Sequence, residues 1–110
     1  VPLFRSANIY LCITNDQWLS ACDYLGVDGG GLDGLVGACQ QYQCNETGEN
    51  LYLIGVFNCD PATLVHECAH ATFYCCRDVG VTIDTNAANE TYCYLLDRMF
   101  SHFLPHIKQE

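Results

Sequence analysis

Positive charge is what this chain has least of: four lysines and arginines stand against thirteen aspartates and glutamates, a formal net charge of −9 in 110 residues. A surface of that sign repels phosphate backbones and anionic bilayers, which argues against nucleic-acid and membrane partners. No apolar run approaches the ~20 residues needed to cross a bilayer. Also missing is any C-x-x-C pair, although there are nine cysteines, so neither a zinc ribbon nor a thioredoxin-type redox motif is indicated. Their odd number and irregular gaps do not read as a secreted disulfide framework, which is built from pairs. Several lie in apolar stretches, where a free thiol behaves as a small buried hydrophobe. Reduced core cysteines are therefore expected, with one disulfide, for instance between Cys39 and Cys59, as the alternative. Repeats, low-complexity stretches and linkers are absent too, and the length fits one domain over residues 1–110.

What the chain does have is apolar material, half of its residues, with only 15% charged. That suffices for a small core. Asn8 to Ile13 is β-branched and aromatic and reads as a strand. Thr14, Asn15 and Asp16 then offer N-caps for a helix whose Trp18, Ala21, Cys22 and Leu25 recur at helical spacing, and Gly26 ends it. The stretch 26–37 holds six glycines and reads as a loop. Its Gly29-x-Gly31-x-x-Gly34 matches a dinucleotide fingerprint only literally, because the strand–glycine–helix order is missing and Asp28 and Asp33 would oppose a phosphate. Residues 37–44 and 51–57 read as two strands joined by the polar turn 45–50, a hairpin. The second strand has little alternation, which predicts cover on both faces.

Asp60-Pro61 is the clearest helix start, with Asp as N-cap and Pro at the first helical position. That helix should run to about Arg77. A polar connection over 82–86 leads to a last helix from about Ala87 to Phe103, closed by Pro105. Strand, helix, hairpin, helix, helix is an α+β order, with helices against a small, mostly antiparallel sheet.

The chemistry concentrates in His66-Glu67-Cys68-Ala69-His70. Residues four apart share a helix face, so both imidazoles can meet one metal ion. Glu67 sits beside them, within reach of a water on that ion. H-E-x-x-H thus supplies two zinc donors and a base, and a third donor must come from elsewhere. Glu90, near the start of the next helix, is the best placed if that helix folds back across the first. Asp84, Cys93, His102 and His106 are the alternatives, the last two remote if the helix is straight. Leu64, Val65, Cys68, Ala69, Ala71 and Phe73 are all uncharged, which predicts a metal helix buried in the core. Buried ionisable side chains need a partner or a metal.

His66-Glu67-x-x-His70 followed by Asn89-Glu90 resembles the gluzincin branch of zinc metallopeptidases. Glu90-Thr-Tyr-Cys-Tyr94-Leu-Leu is similar to small HExxH proteins encoded by tailed bacteriophages. The likeness covers roughly residues 60–100. It implies a minimal zincin-like core in which His66, His70 and Glu90 bind Zn2+ and Glu67 is the general base of peptide hydrolysis. Tyr94, one turn after Glu90, is a candidate for stabilising an oxyanion, with a packing or supporting role as its alternative. The larger enzymes carry an Asp where this chain has Tyr94, and Asp97 is the nearest acidic substitute. The implied partners are a peptide or protein substrate, in a host cytoplasm or a virion. The rival expectation is a non-catalytic, zinc-stabilised structural or assembly protein of a phage particle, its partners phage structural proteins.

Overall fold

The computed structural model of the chain describes residues 2–4, 7–32, 34–83 and 89–107. Its elements follow in the order β1 (Pro2–Phe4), β2 (Ala7–Cys12), α1 (Asn15–Leu25), β3 (Gly37–Gln43), β4 (Asn50–Val56), α2 (Pro61–Asp78) and α3 (Glu90–Phe103), with a 3-10 turn over Leu104–His106. The strands form one sheet in the order β1-β2-β4-β3. β1 with β2 and β3 with β4 are antiparallel, whereas β2 with β4 is parallel. The fold is α+β, as the element order predicts, and the β3–β4 hairpin forms where the polar turn placed it. The expected start of the last helix at Ala87 lies outside the described residues.

Alternation along β4 divides the core in two. Tyr52, Ile54 and Val56 join Ile9, and against them pack Leu64, Cys68, Ala71 and Cys75 of α2 and Met99 and Phe103 of α3. Leu53 faces the other way, into a smaller cluster with Cys12 and with Trp18 and Cys22 of α1. Residues 52–56 are all buried, which is why β4 shows no alternation in its sequence. Gly55 has its own packing reason: a Cβ there would lie 2.5 Å from the ring of Phe57. Its absence lets that ring fold over the strand and meet Trp18 edge-on, centroids 6.1 Å apart.

Both ends of α2 are tied down. Asp60 accepts from the Ala62 N–H at 2.9 Å, with Pro61 opening the first turn. At the other end the Tyr52 hydroxyl donates to Asp78 at 2.6 Å, and Arg77 bridges to Asp78 at 3.0 Å. α1 is capped similarly: Thr14 accepts from the Gln17 N–H, and Gly26, at φ 72°, closes the helix in the left-handed region.

Burial of α2 departs from the expectation. Leu64, Cys68 and Ala71 are buried, but Val65 is 40% and Phe73 51% exposed, and both histidines face solvent. A helix laid on one sheet buries one stripe, and an apolar residue off that stripe stays in water. Among the described residues no helix is long and apolar enough to cross a membrane.

All nine cysteines are free thiols; Cys12, Cys22, Cys68, Cys75 and Cys76 are buried, Cys39 half-buried, and Cys44, Cys59 and Cys93 exposed. The alternative of one disulfide, for instance Cys39–Cys59, is not formed. Burial pushes the Cys12 thiol up to about 11 and those of Cys68 and Cys75 to about 12. Hydrogen bonds from Thr47 hold Cys44 below the usual thiol value.

Two outcomes follow from this architecture. Asp60→Ala should cost about 1 kcal/mol through the lost cap, read as a Tm lower by about 5 °C in thermal unfolding. A chromogenic disulfide reagent should modify three thiols quickly in the native protein, Cys44 first because thiolate is the nucleophile, and all nine only after denaturation.

Candidate metal centre

The α2 stripe that packs on the sheet decides where the motif points. Successive helical residues are rotated by about 100°. With Leu64, Cys68 and Ala71 facing the sheet, His66 and His70 fall on the outer side. Glu67 falls at the seam between the two faces. Burial matches this assignment: His66 and His70 are exposed, whereas Glu67 is only 7% exposed.

The Nε2 atoms of His66 and His70 are 3.2 Å apart, and the rings stand nearly perpendicular at 78° with centroids 4.9 Å apart. Two nitrogens of a tetrahedral zinc site, each about 2.0–2.1 Å from the ion, would sit about 3.3 Å apart. The observed spacing therefore suits one shared ion. The donor atoms of His66, Glu67 and His70 all lie within 4.8 Å of one another. This His–Glu–His group could hold a metal ion.

The Glu67 carboxyl is pushed above its usual value by burial, an effect opposed by the neighbouring His66 and His70. Its charge is felt across the seam by Cys39, whose thiol is raised to about 12, first by burial and then by Glu67. Beside the carboxylate opens a cavity of about 350 Å³, lined by Leu35, Val36, Gly37, Ala62, Thr63, His66 and Glu67. A larger one of about 700 Å³ lies between α1 and β2, lined by residues such as Tyr10, Ser20, Tyr24 and Leu53. The His–Glu–His group borders the smaller cavity, not the larger.

Glu90 is the first residue of α3 and exposed, and it is not a member of the His–Glu–His group. The helix it opens packs against α2. Tyr92 meets Phe73 with ring centroids 4.7 Å apart, which puts the first turn of α3 one turn along α2 from His70. Tyr94 is 69% exposed. Cys93 is exposed and outside the group. Asp97 accepts a hydrogen bond from Ser101 on its own helix at 3.3 Å. His102 and His106 lie together at the far end of α3, centroids 6.2 Å apart. Asp84 lies outside the described residues. Leu35, Val36, Gly37 and Thr63 carry no motif, and their place beside the centre was not foreseen.

Of the three ionisable side chains of the motif, expected to be buried together, only Glu67 is buried; both histidines are exposed. Both imidazoles are open to solvent and so accessible to an ion from solution. Titration with Zn2+ or Co2+ should find one equivalent bound, with His66→Ala and His70→Ala each weakening it by more than about 100-fold, beyond the usual effect of losing a supporting residue. The bound ion should also raise Tm in proportion to the logarithm of its free concentration.

Compared with protein-family models, with curated proteins and with solved structures, the chain matches none.

Proposed function

We propose that this chain is a zinc-dependent peptidase in which His66, His70 and Glu90 hold the ion and Glu67 is the general base. The observation that carries this reading is the contrast within the motif: two imidazoles open to solvent and a buried carboxylate beside them at the wall of a cavity. A structural zinc site needs donors but no extra buried carboxylate, whose desolvation is costly. Zinc, when bound, supplies Lewis acidity toward water and a peptide carbonyl. The proton work belongs to Glu67: its carboxylate takes a proton from the attacking water and returns it to the leaving amine nitrogen. A carboxyl raised by burial is better matched to that double role near neutral pH than a solvated one.

Glu90 completes the donor set in this reading. Support comes from the Phe73–Tyr92 contact, which brings the turn carrying Glu90 alongside α2. Tyr94, exposed one turn further on, is the group proposed to meet a developing oxyanion. A second reading, a zinc-stabilised structural or assembly protein, is favoured by a separate observation. Val65, Phe73, Leu35 and Val36 are exposed apolar residues on α2 and around the cavity, a surface that a partner chain could cover.

Glu67→Gln separates the two. The variant should bind one zinc with affinity within about threefold of the parent and lose about 10²–10⁴-fold in kcat/KM on peptides found by an unbiased cleavage screen. Full activity in Glu67→Gln, or no cleavage by the parent, would sink the peptidase reading. Glu90→Ala should weaken zinc at least about tenfold; unchanged affinity removes it from the donor set. The metal-free proteins provide a pH check. A carboxyl raised in the fold binds more protons folded than unfolded, so stability falls as pH rises from the unfolded pKa through the folded one. Above that window the ionised Glu67 is a net cost, and metal-free Glu67→Gln should melt no lower than the parent at pH 7.

A further inference from the structure

The glycine at position 37 has no conformational reason to be there. Its φ lies outside the left-handed region, and it sits in regular pairing with Val56 at the start of β3. What it provides is space. A Cβ on Gly37 would lie 2.6 Å from Thr63 Cγ2, 2.9 Å from Glu67 Oε2 and 3.1 Å from the Gly55 carbonyl oxygen. Side chains at ordinary contact do not approach so closely, so any other residue here would have to move something. Gly55 is backbone in the middle of the sheet and cannot yield. Thr63 and Glu67 are one turn apart on the α2 face that meets β3. Glu67 is the longer and more adaptable of the two, and its way out leads into the cavity that Gly37 also lines.

We infer that Gly37 is a positioning residue for Glu67: the missing side chain on the edge strand is the slot that holds the carboxylate beside the His66–His70 pair. The inference rests on the reading of Glu67 as general base, and it adds what fixes that base. An alanine at 37 would press on Thr63 Cγ2 as well as on Oε2, and the carboxylate, the far end of the more flexible side chain, would leave its slot while both histidines, on the outer side of α2, stay where they are. A general base displaced by about 1 Å loses on the order of 10²-fold in rate.

The test is a thermodynamic cycle joined to kinetics. Gly37→Ala should retain one equivalent of zinc with affinity within about threefold. It should lower kcat about 10²-fold with KM changed less than about threefold. With Co2+ in the site, its visible spectrum should shift from the parent's toward that of Glu67→Gln. Independently of activity, Gly37→Ala should lower Tm in the parent background, and by at least about 4 °C less in Glu67→Ala, where the methyl group can take the vacated space. A Gly37→Ala protein that folds only in the Glu67→Ala background is the extreme form of the same result. Equal Tm losses in both backgrounds, failure to fold in both, or unchanged kcat with a parent-like cobalt spectrum would each overturn the inference. If the parent cleaves no peptide, the peptidase reading falls, and the thermal cycle and the cobalt spectrum alone decide whether Gly37 places Glu67.

Discussion

The centre depends on one packing contact: the stripe Leu64, Cys68, Ala71 and Cys75 of α2 pressed onto Tyr52, Ile54 and Val56 of β4. Burial of side chains of this size stabilises by roughly 1.5–3 kcal/mol for each large one. The helix cannot roll without giving that up. With the stripe committed to the sheet, helical geometry puts the two histidines in water and Glu67 at the seam. The Asp60 cap and the Tyr52–Asp78 hydrogen bond then fix where the helix begins and ends along the strand.

The seam is where a candidate metal-binding group is set at the expense of stability. On one side lie the core thiols of Cys39 and Cys68, on the other the hydrated imidazoles. The Glu67 carboxylate sits between them at 7% exposure. An ionised group in that place works against the fold, and burial raises its pKa accordingly. Neighbouring positive or partly positive groups, the imidazoles and any ion they hold, offset its cost. A motif whose middle residue was merely a solvated helix glutamate would carry no such tension.

The opposite face of the sheet is built more simply. α1 closes over Leu53 with Trp18 and Cys22, and the large cavity beside it gathers no cluster of metal-ligating groups among the described residues. That layer supports β4 from behind. It makes β4 a doubly covered central strand, and so a rigid floor for α2.

Much of this was legible along the chain, because it depends on near neighbours. The Asp60-Pro61 start, the Thr14 and Gly26 boundaries of α1, the β3–β4 hairpin and the i, i+4 histidines are all local. The paired imidazoles, 3.2 Å apart, follow from helical spacing alone. What the sequence could not say is which way the helix faces. Its flanks are apolar all round, and only the sheet selects the buried stripe, leaving Val65 and Phe73 outside. The parallel pairing of β2 with β4 was equally hidden, since strand order is chosen by crossovers and shared cores rather than by any one strand. Gly37 is the sharpest case. Thirty residues before Glu67 it reads only as the glycine where a loop passes into a strand, and only the docking of that edge strand against a helix sets its missing Cβ beside the Glu67 carboxylate.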